Sequence, residues 1–592
     1  MAGGAWQQCD KEKPDGRHCP GIRAGHIIKP VQHTQRLRLC LAHLGPGQLD
    51  EVLAQLSPGC EIDVRGTRMS SELLRRVLEA VAEDGIRSLR DANFTEVQFD
   101  DGADFGKTVF HGTTRFRGAK FHGAADFDQV RFEGDIADFS EARFRHASFR
   151  WAEFQSDASF SGAEFRSRTS FAKARFCGYL DFCGARFLSQ MAGSASVDFS
   201  DMTLMAPVDF GGVWCHNRGG FDFSGASFAS ADRLGPLGAD FLLLNRATFE
   251  RSVTIEALAT DVSCDQARFE AGVTLRLRYA RLRLESAALS AASSVTGSES
   301  GKDPSFDSLV DPERLALDNG ALAHRVRDGE SRPDDDRWMP VLSSVQGADV
   351  SELTISDVDL SQTRFSGAHH LDRLRIEGRS RFAEPHRPRR RWGSFRVRCA
   401  WPPLWWWTRR QLLAEEATWR ATQRRGADWE PLADEAGQAP RASTPEALAA
   451  MYRSLRKAQE DSKNQPGASD FYYGEMEMRR HAPSASFGER AVLFLYWLTS
   501  GYGLRAMRAL GCLLVLTTLV AFVMYSIGFA DGRIGFGSSV LYVAEATLSL
   551  QAGSATKDVL TWQGEVLRII LRLTGPLFLG LTLLSIRNRV KR

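Results

Sequence analysis

Three cysteines and one histidine near the start of the chain have the clearest capacity for chemistry. They are Cys9, Cys19, Cys40 and His43, and they lie in a loop-rich segment with several prolines. Three thiolates and one imidazole suit tetrahedral zinc, and a segment with little apolar sequence would gain its stability from such a site. We therefore predict a zinc knuckle that binds one zinc ion within residues 1–58.

The spacing of these ligands differs from that of a standard zinc finger. Cys40 and His43 form a Cys-x-x-His pair, but the two earlier gaps are nine and twenty residues long. The alternative histidine ligands are His18, His26 and His33. A set of unpaired cytosolic cysteines is the other interpretation. The ten cysteines show no paired spacing and no N-terminal signal peptide is visible, so we expect reduced thiols.

A second set of charged residues lies in apolar sequence near the C-terminus. Arg568 and Arg572 are four residues apart, hence on one helix face. An ionisable group in a membrane segment is a functional candidate. Because they lie near the outer end of the helix, they can also simply snorkel into the interface. If they do more, Glu545 and Glu565 are the available acidic partners.

No enzyme signature accompanies these groups. The sequence has no Gly-x-Gly-x-x-Gly after a strand, no phosphate-binding loop, no Gly-x-Ser-x-Gly and no His-Glu-x-x-His. The 75 Lys and Arg residues nearly balance the 73 Asp and Glu residues, so net charge does not identify a partner. We predict that the protein is not an enzyme and that its 592 residues form several domains.

A phenylalanine repeat is the main element that must position these groups. Between Phe94 and Phe187 eighteen phenylalanines recur at steps of mostly five or six residues, commonly with alanine two positions earlier. One large and one small residue at fixed phase indicate stacked coils with both inside and the charges outside. The predicted core includes Phe94, Phe105, Phe116, Phe127, Phe144, Phe154, Phe165, Phe176 and Phe187.

This pattern resembles the pentapeptide-repeat family, in its degenerate subgroup with alternating five and six spacing. The resemblance implies a mainly β fold, a right-handed quadrilateral β-helix with one large and one small buried residue per side. Pairs of steps average nearer eleven residues than ten, which predicts an extra residue at one corner per two faces. We place the β-helix at 60–290, a linker or insertion at 291–345, and residual repeat coils or a cap at 346–383.

The charge of the repeat bears on its partners. Residues 91–187 hold fifteen acidic and thirteen basic side chains. A nearly neutral rod disfavours the DNA mimicry of some family members and disfavours nucleic acid as a partner. We expect an unknown protein partner on the β-helix faces.

Residues 486–592 are predicted to form a membrane domain with helices at about 509–530 and 566–586. The uncharged stretch from Ala509 to Ala530 exceeds the roughly 20 residues that span a bilayer. Arginines before the first helix and after the second predict that both termini are cytoplasmic. The sequence thus predicts a two-helix, multi-pass protein of the cell membrane. The apolar segment 490–503 is too short to span and is expected in the interface.

The segment between the two membrane helices has its own resemblance. The order of span, short apolar helix (538–550) and span weakly resembles the two-helix pore module of potassium channels. At the filter position residues 548–553 read Leu-Ser-Leu-Gln-Ala-Gly, without paired glycines, so potassium selectivity is not supported. A plain two-helix anchor is the other interpretation. A pore would need a homo-oligomer formed through the membrane helices.

Two segments join the repeat to the membrane domain. In 384–440, arginines (387–398) alternate with tryptophans (392–407), which favours membrane lipid over nucleic acid or a solvated linker. In 441–485 we predict a helical hairpin. Its residues 470–480 resemble the junction between pentapeptide-repeat domains and paired membrane helices in some bacterial proteins. The predicted coupling residues are Tyr472, Tyr473, Glu475, Arg479 and Arg480.

These features together predict a membrane-anchored cytosolic scaffold or sensor for protein–protein interaction. A ligand-gated or partner-gated ion channel without a standard potassium filter is the alternative.

Overall fold

The phenylalanine repeat forms a parallel β-solenoid of about 12 turns in a computed structural model of the chain. The structure describes residues 6–12, 18–24, 38–188, 197–299, 301, 303–310, 318, 320–330, 338–385, 410–423, 443–529, 535–547 and 560–590. Two units, Met1–Arg381 and Phe382–Arg592, are described separately.

Phenylalanine rings fill the solenoid in four columns. Successive rings of a column are stacked with centroids 4.4–5.2 Å apart, close to the roughly 4.8 Å spacing of hydrogen-bonded strands. Rings of neighbouring columns meet edge to face, as Phe149 and Phe160 do at 5.4 Å. The nine phenylalanines predicted for the core are all buried. The columns are Phe94–Phe116–Phe139–Phe160–Phe182–Phe210, Phe99–Phe121–Phe144–Phe165–Phe187, Phe105–Phe127–Phe149–Phe171–Phe199–Phe223 and Phe110–Phe132–Phe154–Phe176.

The alternation of five and six residues comes from two kinds of corner. Two residues after each phenylalanine of the first and third columns the backbone is left-handed, at Glu141 (φ +59°) and Gly162 (φ +64°) among others. The preceding aspartates support these corners, since Asp126 Oδ1 accepts from the N–H of Asp128 at 2.8 Å. The step across such a corner has five residues, and the other corner mostly holds the extra residue predicted from the spacing. Neighbouring coils are therefore commonly 22 residues apart, and 20 apart near the C-terminal end.

The strands are short and fall into two sets, each parallel except for Ala82–Glu83, which is antiparallel to Ile86–Asn93. The first set is Cys60–Asp63, Ala82–Glu83, Ile86–Asn93, Thr108–Phe110, Thr114–Arg115, Arg131–Phe132, Ile136–Asp138, Glu153–Phe154, Asp157–Ser159, Arg175–Phe176, Leu180–Asp181, Thr203–Leu204, Val208–Asp209, Ser227–Phe228, Thr248–Phe249, Arg268–Phe269 and Ala288–Leu289. The second set is Arg68–Met69, Gln98–Phe99, Ala103–Asp104, Lys120–Asp126, Arg143–Ser148, Glu164–Phe165, Thr169–Ser170, Arg186–Phe187, Val197–Asp198, Val213–Cys215, Gly220–Asp222, Arg233–Leu243, Val253–Ser263, Val273–Arg278, Arg281–Arg283, Ser293–Gly297, Val341–Ser344, Leu353–Ser356 and Arg375–Glu377.

Helices cover parts of the solenoid. The helices α1 (Pro46–Leu53) and α2 (Ser71–Ala80) lie at its N-terminal end, and Ser70 caps α2 by accepting from Leu73 N. The described part of the predicted linker or insertion includes α3 (Pro304–Asp307) and α4 (Ala321–Glu330). Phe306, Leu322 and Val326 pack there in one buried cluster with Trp214 of the solenoid. This segment is therefore folded onto the repeat where it is described.

A buried carboxylate fixes this insertion. Asp318 accepts hydrogen bonds from Trp214 Nε1 (2.9 Å) and from the backbone N–H of Asn217 (2.9 Å) and Gly320 (2.8 Å). His216 Nδ1 lies 3.5 Å from the same carboxylate. Burial raises the pKa of Asp318, but His216, Trp214 and the backbone donors outweigh it and lower the pKa to about 2.

The C-terminal unit is helical. It contains α5 (Ala414–Gln423), α6 (Pro445–Asp461), α7 (Gln465–His481), α8 (Phe487–Ser500), α9 (Ala506–Val523), a π-helical turn (Met524–Gly528), α10 (Phe536–Thr547) and α11 (Trp562–Val590). Two stretches, Ala506–Gly528 and Trp562–Leu584, are long and apolar enough to cross a membrane, with mean hydropathies of 2.3 and 1.7. They overlap the predicted spans 509–530 and 566–586.

Candidate functional site

The four predicted metal ligands come together at the N-terminal end of the chain. The Sγ atoms of Cys9, Cys19 and Cys40 and a ring nitrogen of His43 all lie within 4.8 Å of one another. All three cysteines are buried. The 3₁₀ turn Leu41–His43 brings His43 back to Cys40, and the N–H of His43 donates to the carbonyl of Cys40 at 2.9 Å.

The distances fit the edges of a metal-centred tetrahedron. A zinc ion with Zn–S of about 2.3 Å and Zn–N of about 2.0–2.1 Å needs S···S edges of about 3.8 Å and S···N edges of about 3.6 Å. Cys19 Sγ and Cys40 Sγ are 3.9 Å apart. His43 Nδ1 lies 3.5 Å from Cys9 Sγ and 3.3 Å from Cys40 Sγ. A disulfide needs about 2.05 Å, so these thiols are not bonded to each other.

Hydrogen bonds between the thiols shift their pKa values. A hydrogen bond with Cys40 lowers the pKa of Cys19 to about 5, helped by the backbone N–H of Gly21. The same bond and burial raise the pKa of Cys40. Three thiols and an imidazole crowded into one buried volume are stabilised when a cation replaces the thiol protons. The donor set and its geometry can therefore hold a metal ion.

Gly21 is required for this close arrangement. A Cβ at this position would lie 2.9 Å from Cys40 Cβ and 3.0 Å from its Sγ. Backbone bonds tie this loop to the first coil, since Ile22 N donates to Arg65 O at 2.8 Å. Trp6 Nε1 also donates to Pro20 O at 2.7 Å. The cluster thus fastens the start of the chain to the solenoid.

Of the alternative histidine ligands, His18 is exposed and pairs through a β-bridge with Glu12, away from the cluster. His26 and His33 lie outside the described residues.

A second constellation, which the sequence did not indicate, lies before the first candidate span. Glu416 is fully buried and accepts hydrogen bonds from Tyr452 Oη, from Arg410 and from Arg420 Nε (2.7 Å). Burial raises the pKa of Glu416, but the charges of Arg410 and Arg420 outweigh it and lower the pKa. This cluster joins α5 to α6.

The network continues to the first candidate span. Buried Glu477 of α7 accepts from Arg480 Nη2 at 2.8 Å and from Tyr502 Oη at 3.0 Å. The Arg480 guanidinium lies 4.6 Å from the centroid of the Trp497 ring, and Arg508 at the start of α9 lies 5.9 Å from it. Although burial raises it, the pKa of Glu477 is held at about 2 by the charges of Arg480 and then Arg420. Buried ion pairs with several partners fix the helices of this junction in one arrangement.

The predicted coupling residues lie in or beside this network. Tyr473 is buried and accepts from Trp497 Nε1 at 3.0 Å. Glu475 is buried and pairs with Arg453 Nε at 3.0 Å, whereas Arg479 forms an exposed pair with Glu489 at 3.2 Å. The side chain of Tyr472 lies under the Arg456 guanidinium, 5.5 Å from ring centroid to Cζ. Their role in coupling stays a prediction.

The charged residues predicted for the membrane segment are only partly paired. Arg568 forms an ion pair with Glu565. Arg572 is exposed and Glu545 half-buried. The filter position 548–553 and the arginine and tryptophan residues of 387–407 lie outside the described residues.

Sequence reasoning missed Arg410, Glu416, Tyr452, Glu477 and Tyr502. Glu477 lies within the segment 470–480 that the sequence indicates as a junction, whereas no sequence signal marks Glu416. Each carboxylate pairs with one arginine of its own helix, Arg420 or Arg480, and its other partners come from separate segments, which helix periodicity alone does not reveal.

Comparisons with known proteins bear on the repeat. Residues 105–152 and 116–163 match the family model "Pentapeptide repeats (9 copies)". The crystal structure of HetL, a pentapeptide repeat protein involved in heterocyst differentiation regulation from the cyanobacterium Nostoc sp. strain PCC 7120, is similar at 13% identity. The match covers 57% of this chain and 95% of HetL, with a TM-score of 0.17. No curated protein matches the chain. Residues 105–163 of the solenoid therefore match the pentapeptide-repeat family model, in agreement with the resemblance of the phenylalanine repeat to that family.

Proposed function

We propose that the protein is a membrane-anchored, non-enzymatic scaffold whose pentapeptide-repeat solenoid lies in the cytosol. The main support for the anchor is the distribution of exposed large apolar side chains along the chain. Within the described residues, all but five of the exposed large hydrophobic residues lie between Phe487 and Leu584. An exposed apolar surface of this size in one part of a chain favours a lipid environment.

Helix α8 supports the same proposal. One face packs against α7 through Leu493 and Trp497, which are 9% exposed. The other face exposes Phe487 by 89% and Val492 by 65%. A helix with one packed face and one exposed apolar face, directly before a span, is suited to the headgroup boundary.

The cytosolic side follows from charge and cysteine. Arg505 precedes the first span and Arg508 lies in its first turn. Four basic residues follow the second span (Arg587, Arg589, Lys591 and Arg592), and this distribution favours a cytoplasmic location of both ends. The repeat contains several cysteines as thiols rather than disulfides, such as Cys177, Cys183 and Cys264, which suits a reducing compartment. The repeat surface carries the scaffold role, because the described residues form no constellation of nucleophile, base and oxyanion donors.

Carbonate extraction of membranes tests the anchor. The full chain should stay in the membrane pellet, and Leu514→Arg combined with Leu519→Arg should release it, because each centred arginine costs about 2.5–3.5 kcal/mol. The matched control places two arginines at exposed apolar residues of the repeat, Ile86 and Met205. Release of the unaltered chain would refute the anchor.

A membrane-impermeant maleimide tests the orientation. The exposed thiol of Cys183 should remain unlabelled in intact cells and be labelled after lysis. Labelling in intact cells would place the repeat outside.

The metal proposed for the N-terminal cluster is zinc. Thiolate-rich tetrahedral sites with all four positions taken by protein ligands are typical of structural zinc. Metal analysis of the purified full chain should give about one zinc per chain. In that role zinc would hold the N-terminal segment in place beside the first coil of the scaffold.

An ion channel is the second candidate, because α10 packs between the two spans. Val543 and Ala546 share a buried cluster with Val520 and Met524 of the first span and Leu571 of the second. This order resembles a pore helix. Planar-bilayer recordings of the full chain test it: no conductance under any ion gradient would leave the anchor interpretation in place.

A further inference from the structure

The nearly neutral repeat separates its charges by face. In the strand register, Lys120 lies beside Arg143, Arg143 beside Glu164, and Glu164 beside Arg186. One position beyond the phenylalanines of the same column, Arg145 and Arg166 also point outward. We name this surface the basic face: Lys120, Arg143, Arg145, Arg166, Arg168 and Arg186.

The basic face carries a large local excess of positive charge. Among the outward positions of the basic face between residues 120 and 188, one side chain, Glu164, is acidic and six are cationic. It lies 2.6 Å from Arg166 and 3.8 Å from Arg143. In the part of the chain that the structure describes, the exposed side chains of Arg145, Arg168 and Arg186 form no ion pair.

The compensating acidic groups lie on another face. Asp104 and Asp126 are neighbours in the third-column strands, and Asp198 and Asp222 repeat this pairing further along. These aspartates are held there by their corner role, since Asp104 accepts from Gly106 N and Asp198 from Ser200 N. The nearly neutral net charge of the repeat therefore conceals the strong positive charge of the basic face.

The arrangement of the cations indicates the kind of partner. Coils are stacked at 4.7–5.0 Å along this column, so the cations lie in regular rows on a flat sheet. The outward positions of the basic face between residues 120 and 188 hold no Trp, Tyr or Phe, which single-stranded nucleic acid sites use for stacking and protein interfaces use as anchors. The exposed Trp151 and Tyr179 lie on other faces. A flat array of arginines without apolar anchors fits a planar layer of phosphates.

We propose that the basic face docks on the anionic headgroups of the membrane that anchors the chain. The inference rests on the proposed function for the tether, which keeps the repeat close to a bilayer and raises the effective concentration of headgroups. Each arginine near an anionic surface adds attraction that falls off within a Debye length. Docking would lay the solenoid along the bilayer with its acidic faces open to a protein partner.

Energy transfer to labelled lipid tests the proposal with the full chain in vesicles. A fluorescent amino acid is placed at exposed Ala124 on the basic face, or at Gln155 on another face, in phosphatidylcholine with or without about 30% phosphatidylglycerol. Transfer from position 124 should exceed that from 155 only with phosphatidylglycerol. About 1 M salt, which shortens the Debye length to about 3 Å, should abolish the difference.

Charge reversal identifies the surface. Arg145→Glu, Arg168→Glu and Arg186→Glu together should weaken docking on the order of 100-fold and reduce transfer to the level without phosphatidylglycerol. The matched control reverses three exposed arginines of other faces, Arg115, Arg175 and Arg268, for the same change in net charge, and should keep the transfer.

The outcomes separate the two proposals. Equal transfer with and without phosphatidylglycerol, or equal loss in both triple variants, would overturn docking while the chain stays membrane-inserted. Binding of a DNA oligonucleotide that the first triple variant alone abolishes, without lipid preference, would overturn it in favour of nucleic acid. Extraction of the chain by carbonate would refute the anchor. If the extracted chain then floats with anionic vesicles but not with neutral ones, docking of the basic face is still supported. If it floats with neither kind of vesicle, both the anchor and the docking proposal are overturned.

Discussion

Cys40→Ser is the sharpest test of the N-terminal metal cluster. Cys40 is fully buried and its Sγ is the atom that approaches both Cys19 Sγ, at 3.9 Å, and His43 Nδ1, at 3.3 Å. Serine keeps the size of the side chain but replaces the thiolate by a much poorer zinc ligand. We expect zinc to fall from about one per chain to a small fraction after dialysis against a chelator.

The structure sets the expected effect on stability. Around the cluster the described segment buries few large apolar side chains, chiefly Ile22 and Leu41. Their burial contributes about 1.5–3 kcal/mol each. Ordering about 20 residues costs at least about 20 kcal/mol, whereas a structural zinc contributes about 10–16 kcal/mol. Without the metal, the segment should therefore unfold while the solenoid stays folded.

Hydrogen exchange and X-ray absorption measure the two consequences. In the Cys40→Ser chain, amides such as Ile22 and Ala24, which donate to Arg65 O and Leu39 O, should lose protection, and those of the phenylalanine columns should keep it. The absorption spectrum of the unaltered chain should show three sulfur ligands at about 2.3 Å and one nitrogen at about 2.0–2.1 Å. Cys177→Ser, a thiol outside the cluster, is the control and should keep its zinc. Full zinc content in Cys40→Ser, or unchanged protection without metal, would refute the reasoning.

Three further predictions concern stability. Glu141→Gly should raise the unfolding free energy of the repeat by about 0.5–1 kcal/mol and Gly162→Ala should lower it by about 1–2 kcal/mol, because both corners are left-handed; equal effects in denaturant titrations would contradict the corner assignment. The pKa of Asp318 lies at about 2, below its usual value, so its contribution of about 2 kcal/mol is present above about pH 4 and is lost as the pH falls towards 2. Thermal unfolding of Asp318→Asn should lack this acid-dependent loss, and an unchanged pH profile would count against the buried carboxylate. Glu477→Gln should destabilise the helical unit by about 3–5 kcal/mol, whereas Glu489→Gln at the exposed pair should change it by less than about 0.5 kcal/mol; similar values for the two would show that the network contributes little.

The repeat could be predicted in detail because its signal is periodic and local. Phe94 to Phe187 alone define the coil length, and the five-and-six alternation gives the extra residue at alternate corners. The same periodicity does not say which outward residues share a face. That requires the register, in which Lys120, Arg143 and Arg186 fall in one row.

The cysteine cluster was predictable from ligand chemistry, although its spacing is irregular. A metal site depends on which side chains meet, and backbone bonds within the N-terminal segment, such as Cys9 N to Gly21 O and Asp10 N to Arg38 O, bring Cys9, Cys19 and Cys40 together.

The buried network around Glu416 and Glu477 was not predictable as a unit. Arg420 and Arg480 pair at ordinary helix spacing, but Arg410, Tyr452 and Tyr502 come from other segments with no fixed spacing. The packing of the insertion could not be predicted from its composition for a related reason. A Ser-, Gly- and Asp-rich segment can still be held by buried contacts, such as the hydrogen bonds of Asp318 and the packing of Phe306 on the solenoid.

Because the phenylalanine columns run along the solenoid, the number of coils can change without changing which residues lie on each face. Because every coil enters and leaves at the same corner, the insertion or deletion of one whole coil of about 20–22 residues keeps all remaining residues on their faces. Such a change would lengthen or shorten the solenoid by about 4.8 Å. A change of any other size would force one coil to bulge or would rotate charges onto a different side. The length of the solenoid can thus be changed in steps of one coil.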